Sequence, residues 1–210
     1  MYEVVIKREE ATLMEVKIAE IFQKHNGIMR TNELLRSGIH YRLLRKLIAD
    51  GKIEKIRYGY YQWQDEKAFS EVSAITALFP DGILCMYTAL LYYDYTDRTP
   101  SVWHIAVDKR SSRTRFNIDY PAVKPYYIEE SRLRIGVVEG EIDGIKVQIY
   151  SRERVVCDCL RRMNSMDGEI FNEVIKRYVK DTQKNIAQLM EYAKKLGVEN
   201  KVRRTVGIWL

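Results

Sequence analysis

The sequence predicts an α+β protein: an N-terminal winged helix-turn-helix, then a larger α+β domain with a short sheet, flanking helices and a helical C-terminus. Three observations carry this. The first 65 residues run through helical periodicity, glycine stops and one short hairpin. Residues 102–150 hold three strand-like runs, and helical periodicity returns after Ser151.

In the first part, Leu13, Val16, Ile18, Ile21 and Phe22 recur at helical spacing within residues 9–25, and Asn26-Gly27 stops that helix. Thr31 stands as an N-cap before a short helix over 32–36, which Ser37-Gly38 breaks. His40 is placed as the cap of a third helix, residues 41–50, closed by Gly51. Residues 52–56 and 60–63 then flank a turn at Arg57-Tyr58-Gly59, a hairpin pattern. Helix, short helix, turn, helix, hairpin is the order of a winged helix-turn-helix, whose third helix enters the major groove while the wing lies on the backbone. At 100° per residue, Leu43, Leu44, Leu47 and Ile48 share one face of the third helix, opposite Arg42, Arg45, Lys46 and the small Ala49. Tyr41 sits at the edge of the cationic face, and Lys52, Lys55, Arg57 and Tyr58 make the wing basic. This part reads as a DNA-binding module over 1–65, with Thr31, Tyr41, Arg42, Arg45, Lys46, Lys55, Arg57 and Tyr58 as candidate contacts.

Residues 64–70 read as the junction to a second domain over 70–210. There, 71–78 should be a helix, and 83–93, apolar nearly all round, a buried central one. Strands are expected at 102–107, 123–128 and 145–150, with the glycines of 136–144 as turns. Ser151 is positioned to cap a helix over 152–164, and further helices are expected at 168–180, 183–196 and 199–206.

The formal net charge is +6. It is distributed as +3 over residues 1–65, −2 over 66–150 and +5 over 151–210, so both ends favour a polyanionic partner. No run approaches the roughly 18 apolar residues of a membrane helix, and the N-terminus lacks the pattern of a signal peptide. Three cysteines without a targeting segment point to a reducing cytosol.

Catalytic and metal chemistry find little support. Cys157 and Cys159, two apart on a helix, point in different directions, and the three histidines are scattered, so buried thiols are expected and no metal site. No phosphate-binding glycine loop is present. Asp143-Gly144-Ile145-Lys146 is a turn entering a strand, and His104 in its apolar strand is a structural histidine. We therefore expect no enzyme site and no cofactor. Two basic patches remain: the loop carrying Lys109, Arg110, Arg113 and Arg115, and a helix face that would bring together Arg154, Arg161 and Arg162 around Asp158.

The segments Gly27–Leu34, Gly38-Ile39, Leu44–Leu47, Asp50–Ile53 and Tyr58–Tyr61 resemble the winged-helix domain of AbiEi-type antitoxins. Phe79–Gly82, Thr96–Pro100, Trp103–Val107 and Tyr150–Asp158 are similar to that family's C-terminal part, so the resemblance spans nearly the whole chain. It implies the antitoxin of a bacterial type IV toxin–antitoxin system linked to abortive phage infection. Such a protein represses its own operon by binding promoter inverted repeats, and it counters a nucleotidyltransferase toxin without a stable complex. Carried onto this chain, Arg42, Arg45 and Lys46, helped by Tyr41, would read or clamp double-stranded DNA, with Lys55, Arg57 and Tyr58 on the flanking backbone. The basic loop and the three arginines would be second-domain surfaces. The chain lacks the Gly-Ser motif and paired aspartates of the toxin itself. With no heptad seam, a monomer pairing on adjacent half-sites is expected, in the cytoplasm and away from membranes. Two other readings make distinct demands. A ligand-sensing regulator needs a roomy apolar pocket in residues 70–210. A DNA-processing enzyme needs carboxylates converging from among Asp81, Asp97, Asp119, Glu139 and Asp143.

Overall fold

The computed structural model describes the backbone of residues 2–64 and 70–207, with side chains from Leu13 onward. Residues 65–69 of the expected junction lie outside the described residues. Packing divides the chain into Met1–Pro80 and Asp81–Leu210.

The first unit runs α1 (Tyr2–Lys24), β1 (Ile28–Arg30), α2 (Thr31–Arg36), α3 (Tyr41–Ala49), β2 (Ile53–Arg57), β3 (Tyr60–Trp63) and α4 (Glu71–Leu78). The three strands form an antiparallel sheet in the order β1-β3-β2, with Met29 opposite Tyr61 and Ile53 opposite Trp63. One core binds it together: Ile18 and Phe22 of α1, Met29, Leu34, Ile39, Leu44 and Leu47 of α3, Ile53 and Trp63. The Phe22 and Trp63 rings lie 5.7 Å apart. Between α3 and β2 the chain reverses at Gly51, at φ +70°, so that the Lys52 N–H donates to the Leu47 carbonyl at 2.9 Å; glycine adopts this left-handed geometry without steric cost.

Two expectations change here. β1 lies where only a helix stop was foreseen, because its three residues pair with β3, some thirty positions downstream. The helix α4 packs on β1, and its Ala77 carbonyl accepts from Arg30, so α4 belongs to the first unit instead of opening the second.

The second unit contains β4 (Ile83–Leu84), α5 (Met86–Tyr92), β5 (Trp103–Asp108), β6 (Val123–Ile128), α6 (Glu130–Leu133), β7 (Val137–Ile142), β8 (Ile145–Tyr150), α7 (Arg152–Arg162), α8 (Gly168–Lys180), α9 (Ile186–Leu196) and α10 (Glu199–Thr205). Its sheet has the order β6-β5-β4-β8-β7, parallel at β5/β6 and β4/β8, antiparallel elsewhere. The apolar run 83–93 is therefore not one helix. Ile83 and Leu84 are the middle strand, and both are buried. β7 likewise occupies part of a stretch whose glycines suggested turns: Gly140 lies within the strand, while Gly136 before it and Asp143-Gly144 after it sit in turns with positive φ.

The hub is α7, which packs on α5, α8, α9 and α10 and is buried at every position from Glu153 to Leu160. Ser151 caps it, its side chain accepting from the Arg154 N–H. Asp167 and Asn185 cap α8 and α9 in the same way, each taking up helix N–H groups left without an intrahelical partner.

His104 is buried in β5, where it shares a 2.9 Å hydrogen bond with the Tyr126 hydroxyl and stacks on that ring. Burial, with a smaller push from Lys124, lowers its pKa to about 4 from an unperturbed 6.5. Because the unfolded chain binds this proton more readily, stability is full above pH 6.5 and lost as the pH falls towards 4. Between pH 7.5 and 5 the wild type is expected to lose about 2 kcal/mol that His104→Gln retains. Urea midpoints of both proteins at the two pH values test this, and equal losses would refute it.

Candidate nucleic-acid interface

The surface of α3 follows from its packing. Leu44 and Leu47 drive into the core and fix the helix's rotation, which leaves Arg42, Arg45, Lys46 and Ala49 exposed and Tyr41 55% exposed. Ile48 departs from expectation: it is 39% exposed, so the apolar face is narrower than the wheel implies. Arg42, Arg45 and Lys46 make no ion pair with any described residue, and their side chains face solvent. His40 holds the N-cap position by its extended backbone (φ −73°, ψ 162°), though its side chain makes no capping bond.

The wing is the β2–β3 hairpin, with a bulge between Lys55 and Arg57. Tyr58 at its tip is 89% exposed, and the Lys55 ammonium lies 5.4 Å from that ring's centre. Arg57 stacks on Tyr60, 5.8 Å from the ring centre, and Arg30 sits 5.3 Å from the same centre. Two guanidinium groups thus share one aromatic ring. Arg30 and Tyr60 were not foreseen. Only the pairing of β1 with β3, Arg30 opposite Tyr60, brings them together. Lys52, counted with the wing, pairs instead with Glu15 of α1 at 3.2 Å.

Thr31 is not the cap of α2. Arg30 holds that position, its N–H donating to Glu33 at 2.6 Å. Thr31 opens the helix, and its N–H donates to the Gly59 carbonyl at 2.9 Å, with its hydroxyl near the same oxygen. Its place is a tie between α2 and the wing turn.

In the second unit the two basic patches are rearranged. The loop after β5 is not an open run of cations. Lys109 pairs with Glu129 at 3.1 Å, Arg110 with Asp108 and Glu130, and Arg115 with Asp81, while Arg113 stacks on Tyr127. The carboxylates at 129 and 130 arrive because β6 pairs in parallel with β5, Asp108 opposite Ile128. The helix face divides too. Arg154 is fully buried, where it donates through Nε to Asp158 at 3.0 Å and through Nη1 to the carbonyls of Arg132 and Ile135 at 2.7 Å. It is a core residue and no part of a surface. Arg161 and Arg162, in the last turn of α7, are exposed.

The acidic side chains are dispersed. Asp81 is held below the usual carboxylate range by Arg115, and Asp97 by Arg177. Glu139 pairs with Lys146 across β7 and β8. Among the described residues no three His, Cys, Asp or Glu side chains are grouped to hold a metal. Cys85, Cys157 and Cys159 are free and buried, and burial pushes their thiols upward, Cys157 to about 12. No helix of the described residues is long and apolar enough to cross a membrane.

No curated protein matches the chain. Residues 16–62, from within α1 to β3, match a family model described as "Transcriptional regulator, AbiEi antitoxin". Across the helix-turn-helix and wing, this protein carries the sequence signature of AbiEi antitoxin transcriptional regulators.

Proposed function

We propose that this protein is the antitoxin and autorepressor of a type IV toxin–antitoxin operon. It binds inverted repeats in its own promoter through α3, with the wing on the flanking phosphates. One observation carries the reading: α3 presents Arg42, Arg45 and Lys46, unpaired with any described residue, on the exposed face of a helix whose module matches AbiEi regulators. Arginine serves both guanine edges and phosphates, and the small Ala49 permits close approach to the groove. Lys55, Arg57 and Tyr58 add backbone contacts, joined by Arg30. The chain binds as a monomer that pairs on adjacent half-sites, in the bacterial cytoplasm. Its counterpart is a nucleotidyltransferase toxin, countered without a stable complex through the second unit. The protein works by binding and not by catalysis, consistent with candidate carboxylates that pair with separate cations.

The test is a mobility-shift titration of promoter and random DNA across salt, with wild type and the triple variant Arg42→Ala/Arg45→Ala/Lys46→Ala. At about 1–3 kcal/mol for each base-reading side chain, the variant should lose at least a hundredfold in promoter affinity. Its salt slope should become shallower by about 0.9 for every phosphate contact removed. If wild type and variant bind alike, or wild type fails to prefer its promoter, the reading is wrong.

A further inference from the structure

We propose that the second unit holds a binding site for a small phosphorylated molecule. The site is a cleft of about 450 Å³ lined by Lys109, Tyr126, Arg132, Asp158, Arg161 and Arg162, with Cys85, Met86 and Glu129 among its other walls. The proposal does not depend on what the winged helix binds.

Charge accounting within the cleft identifies an anion as the ligand. Lys109 and Glu129 neutralise each other at 3.1 Å. Asp158 is taken by the buried Arg154 behind it. Three guanidinium groups are left, those of Arg132, Arg161 and Arg162, and none of them pairs with a carboxylate among the described residues. The dipole of α7 accounts for cations in its last turn. Arg132 reaches the same cleft from the last turn of α6, so the cations converge on it from two separate helices.

The arginines are also held in place. Arg162 lies 4.7 Å over the Tyr126 ring, which is itself stacked on His104 and bonded to it through the hydroxyl. A guanidinium held over a ring face by cation–π attraction still has N–H donors to offer phosphoryl oxygens. The buried Arg154 bonds to Asp158 and to the carbonyl of Arg132, so one side chain ties α6 to α7 and sets the spacing of the arginines on both. Arg154 acts here as a positioning residue. Preorganisation of this kind reduces the ordering cost of binding. The volume lies in the range of small-molecule sites. The polar, cationic lining selects a phosphoryl-bearing ligand over the apolar one that a ligand-sensing regulator would ordinarily take.

Calorimetric titration of the full-length protein with sodium pyrophosphate and with ATP, at matched ionic strength, tests this. The comparison proteins are Arg161→Ala/Arg162→Ala, Arg132→Ala, and Arg203→Ala as a cationic control on α10. Wild type is expected to bind in the micromolar range, the first two variants at least about tenfold more weakly, and the control unchanged, with circular dichroism showing each folded. Tighter binding of ATP than of pyrophosphate assigns a nucleotide, and equal binding assigns the phosphoryl group alone. Absence of saturable binding below millimolar concentration overturns the proposal, as does equal weakening by Arg203→Ala. A loss of DNA affinity in the arginine variants without any small-anion binding would also overturn it, by making this face a nucleic-acid contact.

Discussion

Arg154→Ala is expected to lower the unfolding free energy by about 3–5 kcal/mol, as removal of one member of a buried ion pair does. The wild-type guanidinium has no solvent exposure, and its contacts are the Asp158 carboxylate, two backbone carbonyls and the Tyr150 ring at 4.1 Å. Its remaining NH2 group has no hydrogen-bond partner among the described residues. Truncation strands Asp158 in an environment whose burial already pushes its pKa upward against the pull of Arg154. It also removes the donor to the carbonyls of Arg132 and Ile135, each costing about 1–3 kcal/mol if left unpaired. The double variant Arg154→Met/Asp158→Leu removes the stranded charge but not the orphaned carbonyls, so it should recover roughly half of the loss. Urea unfolding of the three proteins separates the contributions. A loss below about 1 kcal/mol in the single variant would contradict the pairing, and a double variant no better than the single would assign the whole cost to the carbonyls.

Gly136→Ala is expected to be nearly as damaging, by about 2–5 kcal/mol, and Gly144→Ala much less so. Both glycines sit at φ +75°, where an alanine costs about 1–2 kcal/mol from its own backbone. Their surroundings differ. A Cβ at Gly136 would stand 2.6 Å from the Cβ of Arg154 and 3.0 Å from the Tyr192 ring, whereas at Gly144 no described residue beyond its chain neighbours lies within 4 Å. The Gly136 carbonyl also accepts from the Ser151 N–H at 2.7 Å, joining the start of β7 to the cap of α7, so the backbone there has little freedom to give way. Overpacking adds about 1–3 kcal/mol at the first site alone. Thermal or urea unfolding of the pair gives the clash by difference. Equal losses would show that the left-handed backbone alone matters.

Much of the first unit was legible from sequence because its signals are local. The faces of α3 follow from residues three and four apart, and the wing from a glycine turn between two short strand-like segments. Both appear where the pattern puts them. Two of the strands missed are settled by a distant partner, whereas β7, whose partner β8 follows directly, was missed because the glycine within it reads as a turn. β1 is three residues long and exists through β3, and β4 is two residues whose apolar character suits a buried helix equally well. The site residues divide along the same line. Arg42, Arg45 and Lys46 are solvent-facing as their helical phase requires. Arg154 shares a helix face with Arg161 and Arg162, yet its turn of α7 passes through the centre of the unit while theirs lies at its end.

The sequence by itself determined the helix-turn-helix with its wing, the cationic face of α3, the α+β character and the helical C-terminus. These depend on periodicity and stop signals that act over a few residues. Only the tertiary structure decided which charges remain unpaired. Local composition counts the cations of the loop at 109–115 but cannot count Glu129, Glu130 and Asp81, which strand pairing and loop packing bring to them from far along the chain. Coulomb energy depends on distance in space, and distance in space is what folding sets.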